Sequence, residues 1–248
     1  MAMSSDQWRI RSVAAVIFDL DGVIVDSEIW WHQERVAWAA SIGRSWSEVD
    51  TRAVMGANSR GWARIMRERL GLDPSMDARI ENEIVERMVR RYRHGAPEIP
   101  GAVAAVRRVA RTWPVAIASS AHHDVIAAAL RATDLVGLIP VVVSSDEVAH
   151  GKPAPDVYLE AARRLHVDPA DCVIVEDSLN GVRSGCDAGM VVVLVPNESL
   201  PPAAGAEEMA DLVLPRLADF DPAAAMQAAI RADAIRGSRS IDFPATTE

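Results

Sequence analysis

Short unbroken apolar runs recur along the chain, and stretches with apolar residues at helical spacing lie between most of them. The first run covers 13–18. It is followed by "VAIAS" (115–119), "VVVSS" (141–145), "CVIVE" (172–176), "VVVLV" (191–195) and "LVL" (212–214). Runs this short, rich in β-branched residues and without polar alternation, fit strands buried on both faces of a parallel sheet. Helices are predicted over "AVAAVRRVART" (102–112), "DVIAAALRAT" (124–133), "PDVYLEAARRLH" (155–166) and "SLNGVRSGCDAG" (178–189). The alternation predicts an α/β fold, a doubly wound (Rossmann-like) parallel sheet with right-handed crossovers.

Residues 26–97 break this rhythm. They contain no strand pattern and read as several helices, at "SEIWWHQERVAWAASIG", "SRGWARIMRERLGL" and "DARIENEIVERMVRRYRHG". Between 26 and 98 there are 12 arginines and 12 acidic residues, so this unit is charge-balanced. It is read as a helical cap domain (26–97) inserted into a discontinuous α/β core domain (1–25 and 98–235). The polar tail, 236–248, has little pattern and is expected to be disordered. Five of the seven tryptophans lie between Trp30 and Trp62. They are expected to fill the small helical core, with one or two facing a ligand.

Composition narrows the function. A net charge of −9 argues against nucleic acid as a partner, and an anionic substrate would need a local positive site. Two cysteines, Cys172 and Cys186, imply no disulfide framework and suit a reducing cytosol. No apolar stretch reaches membrane-spanning length and no leader-like segment opens the chain, so no membrane partner and a cytoplasmic location are expected. One feature is unusual: of 26 basic residues, Lys152 is the only lysine. A lone lysine among arginines suggests a position that needs a compact point charge instead of a planar fork.

The opening run ends in "FDLDG". In a strand, residues i and i+2 share a face, so Asp19 and Asp21 are expected to face the crevice above the sheet together. Two close carboxylates repel unless a cation sits between them, and Mg²⁺ suits oxygen ligands. Ser119 and Ser120 end the second run, Lys152 follows the third, and Glu176 with Asp177 ends the fourth. All are therefore expected at carboxyl ends of strands. Ser178 and Asn180 are expected to serve a helix start, and His122 and His123 to be solvated or capping.

The segments "FDLDGVIVDSE", "IASSA", "GKPAPDVY" and "VIVEDSLNG" resemble the four motifs of the haloacid dehalogenase superfamily, in its capped phosphatase and beta-phosphoglucomutase-like branch. The resemblance covers roughly 13–220. It implies that Asp19 is the nucleophile that forms an aspartyl-phosphate, and that Asp21 acts as general acid and then base. It also implies that Mg²⁺ is held by Asp19, Asp21 through its backbone carbonyl, and Asp177. Glu176 resembles the outer or alternate metal position. Ser119, Ser120 and Lys152 would bind phosphate. Dehalogenating members lack the second acid, so Asp21 favours phosphoryl transfer.

Substrate choice lies with the cap. Candidate contacts are Glu28, Trp31, Met55, Gly56, Asn58 and Trp62. Sugar phosphomutases of this type resemble "VMGANSRG" around Gly56 but carry basic residues beside that glycine, whereas the flanks here are Met55, Ala57, Asn58 and Ser59. The expected function is therefore a monomeric Mg²⁺-dependent phosphatase of a small phosphorylated metabolite, such as a sugar phosphate. The alternatives are a beta-phosphoglucomutase-like mutase and a non-catalytic phospho-ligand-binding protein.

Overall fold

The structure, a computed structural model, describes residues 11–54 and 57–239. Each apolar run forms a strand: β1 (Ala15–Phe18), β2 (Val115–Ser119), β3 (Val141–Ser144), β4 (Cys172–Glu176), β5 (Val191–Leu194) and β6 (Leu212–Val213). They form one sheet in the order β3-β2-β1-β4-β5-β6, with every neighbouring pair parallel.

The pleat divides each central strand between two cores. Val16, Phe18, Val173 and Val175 pack on one face, and Ala15, Ile17, Cys172 and Ile174 on the other. Both faces are covered, which is why these strands read as continuous apolar runs.

Four helices separate β1 from the rest of the core: α1 (Glu28–Ser41), α2 (Glu48–Val54), α3 (Ser59–Leu70) and α4 (Asp77–Tyr92). Their apolar stripes meet in a core containing Trp38, Met66, Ile80, Ile84 and Met88, all fully buried. The Trp38 indole donates to Glu83 across α1 and α4 at 2.8 Å. The chain leaves the sheet and returns to it side by side, through an antiparallel bridge between Val25 and Glu98.

The remaining helices are α5 (Ala102–Val109), α6 (His123–Ala132), α7 (Asp156–Leu165), α8 (Leu179–Asp187), α9 (Ala206–Met209) and α10 (Pro222–Arg239). His122 caps α6, its ring nitrogen accepting from the Asp124 amide at 3.2 Å. Three helices had no sequence prediction. α2 and α9 are too short to show a period, and α10 is an alanine-rich helix with a weak apolar stripe. α10 runs to Arg239 and so into the start of the expected tail, while 240–248 lie outside the described residues. Among the described residues, no helix is long and apolar enough to cross a membrane.

Candidate active site

The order of strands reverses at β1, with β2 on one side and β4 on the other. Open parallel sheets form their binding crevice at the carboxyl ends beside such a reversal. Phe18 pairs with Ile117 of β2 and Val175 of β4, so Asp19 emerges level with the ends of both neighbours. The Asp19 amide donates to the Val175 carbonyl at 3.0 Å, fixing its exit.

Asp19 and Asp21 both line the crevice, but a continuous pleat does not bring them there. β1 ends at Phe18, and a tight turn follows in which the Gly22 amide donates to the Val25 carbonyl at 2.8 Å. Gly22 has φ +81°, and a β-carbon on it would fall 1.9 Å from Oδ2 of Asp177. This glycine therefore lets the turn after β1 press against the carboxylate that follows β4.

Lys152 joins the strand ends. Its ammonium donates to Asp19 Oδ1 at 2.7 Å, to Glu176 Oε1 at 2.5 Å and to the Ala118 carbonyl at 3.0 Å. Burial opposes its charge, yet Asp19 and Glu176 outweigh that and raise its pKa above the ordinary lysine value. Glu176 is fully buried behind the lysine. Its Oε1 also accepts from the Tyr158 hydroxyl at 2.5 Å, and its Oε2 accepts from the Asp177 amide at 3.2 Å.

Asp19, Glu176 and Asp177 present oxygens within 4.8 Å of one another. Burial pushes the Asp19 carboxyl up; Lys152 opposes this, Glu176 and Asp21 add to it, and the pKa reaches about 8. Burial, Glu176 and Asp19 likewise hold Asp177 well above the carboxylate range. Burial also raises Asp21, against a hydrogen bond that its Oδ1 accepts from the Ser27 hydroxyl. One ammonium among three buried acids and the half-buried Asp21 leaves an excess of negative charge, and the acids offer only oxygen donors. This donor set fits a hard divalent cation.

On the β2 side, Ser119 Oγ accepts from the Ala121 amide at 3.0 Å, shaping the loop that carries Ser120. Both serines line a cavity of about 120 Å³, together with Asp19, Asp21, Lys152 and Asp177.

The helical unit closes this cavity from above. Glu28, Trp31 and Arg35 project from one face of α1, at i, i+3 and i+7, and Trp62 comes from α3. The rings of Trp31 and Trp62 meet edge to face, 6.0 Å apart. Burial and nearby Asp21 push Glu28 up to about 7, with Arg35 opposing.

The structure thus gathers most of the residues picked from sequence. Glu176 lies beneath the cavity, engaged by Lys152 and Tyr158. Asn58 does not line the cavity: its side chain accepts from the Gly61 amide at 3.0 Å and caps α3. Met55 and Gly56 lie outside the described residues. The expected helix-start role of Ser178 holds, since its Oγ accepts from the Gly181 amide at 3.1 Å. Sequence reasoning missed Arg35 and Tyr158. Arg35 had a signal, its helical spacing from Glu28 and Trp31.

Comparison with known proteins identifies the family and the fold. A family model for haloacid dehalogenase-like hydrolases matches residues 13–189. A probable pseudouridine-5'-phosphatase of Drosophila melanogaster is 34% identical over 86% of this chain and 94% of its own. Among solved structures, CbbY from Rhodobacter sphaeroides, in complex with phosphate, superposes with a TM-score of 0.73 at 26% identity, covering 87% of this chain and 99% of its own. Beta-phosphoglucomutase from Clostridium difficile shares the fold, with a TM-score of 0.76 at 19% identity over 90% of this chain and 99% of its own. The chain belongs to the haloacid dehalogenase-like hydrolases, in the capped branch that hydrolyses phosphate monoesters.

Proposed function

We propose that the protein is a Mg²⁺-dependent phosphatase of a small phosphate monoester and works through an aspartyl-phosphate on Asp19. The observation that carries this reading is the contact of Lys152 with Asp19 Oδ1 at 2.7 Å, with Asp21 in the same cavity. An attacking carboxylate, a fixed cation and a second acid are the groups that the two-step chemistry needs.

In the first step, an Asp19 oxygen attacks phosphorus and the bond to the ester oxygen breaks. Asp21 gives its proton to the departing oxygen, and the product is an alcohol. Its burial favours the protonated form required at this stage. The Ser27 hydroxyl donates to Oδ1 and fixes the carboxyl in place. In the second step, the Asp21 carboxylate takes a proton from water as that water attacks the aspartyl-phosphate. Inorganic phosphate leaves and Asp19 is restored.

Lys152 faces the charge that develops on the transferring oxygens, while Ser119 and the Ser120 amide orient the phosphate. The Asp19 and Asp177 carboxylates and the Asp21 carbonyl would hold Mg²⁺. When bound, the ion supplies Lewis-acid stabilisation of the phosphoryl oxygens. All these groups come from one chain, so a monomer suffices.

The test is phosphate release from a panel of sugar and small-metabolite phosphates, with Mg²⁺ or with chelator. Release that needs metal and is lost in Asp19→Ala is expected. No release from any ester would overturn the reading. Isomerisation of beta-glucose 1-phosphate without release would replace it with the mutase.

A further inference from the structure

Arg35 is a cation above the cavity that the chemistry just described does not use. It is 5% exposed, deep in α1, and its guanidinium lines the cavity. Its carbon lies 5.1 Å from the centroid of Trp31 and 5.4 Å from that of Trp62, so two indole faces hold the charge. Among the described residues, no hydrogen bond or ion pair engages it, and its Nε is buried without a partner. Every other buried cation at the site is satisfied: Lys152 has three acceptors.

The Nε–H has lost water and gained no acceptor, which is costly for a guanidinium held among indoles. Two indoles offset part of the charge but supply no acceptors. Glu28 and Asp21 lie near enough to act on Arg35 through their fields. Neither is bonded to it. The remaining acceptor is the cavity's occupant.

The direction is also informative. The phosphate end of the cavity is furnished by Lys152 and the two serines, from the sheet. Arg35 reaches in from α1, on the helix face that carries Glu28 and Trp31. It therefore addresses the part of the ester that leaves with the proton from Asp21. A cavity of about 120 Å³ is small beside the ~300–1000 Å³ of drug-sized sites, so that part is short.

Resting on the phosphatase reading above, we propose that Arg35 is the specificity determinant of this enzyme, binding a second anionic group, a carboxylate or a second phosphate, on the leaving group of a short phosphate monoester. A planar fork with free donors suits either anion in a bidentate contact. Apart from Lys152, Arg35 is the only cation lining the cavity among the described residues.

Three esters on one carbon frame test this: n-propyl phosphate, 3-(phosphonooxy)propanoate and propane-1,3-diyl bisphosphate. In the wild type, kcat/KM for at least one of the two anionic esters is expected to exceed that for propyl phosphate by roughly 100-fold. Arg35→Met is expected to collapse that ratio, and Arg35→Lys to keep part of it. The larger of the two anionic ratios names the anion. A wild-type ratio near one overturns the proposal, as does a ratio that survives Arg35→Met. Calorimetric titration of the same esters into Asp19→Asn, with and without Arg35→Met, reads the preference as a ratio of Kd values without turnover. If the wild type releases no phosphate, the phosphatase reading fails while this titration still decides the role of Arg35. Equal Kd values for all three esters would overturn it there too.

Discussion

Gly181 stands where a β-carbon would fall 1.8 Å from Cδ of Glu176. The first turn of α8 therefore doubles as the wall that pushes this carboxylate towards Lys152. Gly181→Ala is expected to displace Glu176 and let the lysine drift from Asp19. Overpacking costs about 1–3 kcal/mol of stability, and misplacing the cation lowers kcat by roughly 10²-fold. Urea denaturation and steady-state kinetics on one preparation measure both. A destabilised protein with unchanged kcat would show that Glu176 serves packing alone.

Lys152→Arg keeps the charge but is expected to lose activity by about 10²-fold or more. Three acceptors surround the ammonium at 2.5–3.0 Å, a socket for a point donor. The variant should still bind Mg²⁺, which separates this loss from collapse of the site. Full activity in Lys152→Arg would mean that the single lysine of the sequence is an accident of composition.

Mg²⁺ is expected to stabilise the folded protein. At a hundredfold excess over Kd, linkage gives about 2.7 kcal/mol, or roughly 5–10 °C in Tm for a chain of this size. Asp177→Asn removes one of the proposed ligands and should abolish most of the shift. Differential scanning calorimetry with and without EDTA reads it. A shift that persists in Asp177→Asn would place the ion elsewhere.

Glu28 sets a pH dependence of stability. Its folded pKa is raised to about 7 from 4.5, chiefly by burial. The folded state then keeps a proton that the unfolded chain releases between these values. The associated stability is fully present below the unfolded pKa and is lost as pH rises through 7. At 1.36 kcal/mol per unit, the loss is on the order of 3 kcal/mol at most. Urea unfolding in EDTA from pH 4.5 to 8 should show a steeper decline for the wild type than for Glu28→Gln. Parallel curves would mean that Glu28 titrates as a solvated carboxylate.

The sheet was legible because burial on both faces forces each strand to be apolar throughout. Ala15 and Val16 point to opposite cores and are equally buried. The groups at the strand ends were legible because carboxylates, serines and a lysine rarely follow such runs. Arg35 was legible only in its helical spacing from Glu28 and Trp31, since a charge within a helix ordinarily marks the solvated face; the contact of Trp31 with Trp62 of α3 is what marks that face as lining the cavity. Tyr158 and Gly181 act through Glu176, across segments whose contact depends on the packing of α7 and α8. Which cap residues face the cavity was not legible, because the sequence does not show which helix face points inward; Asn58, a candidate contact, caps the start of α3.

The bridge between Val25 and Glu98 has a consequence for how such enzymes diversify. The chain departs from the sheet and re-enters it through adjacent backbone, so the helices between behave topologically as one very long loop. Joining those two points by a few residues would leave the strand order untouched, and a different helical unit could be spliced there at little cost in chain closure. Under the proposed mechanism, the groups that break the bond and the Arg35 that reads the ester lie in separate stretches of sequence. Exchange at this one junction would retarget the enzyme while its reaction stays the same.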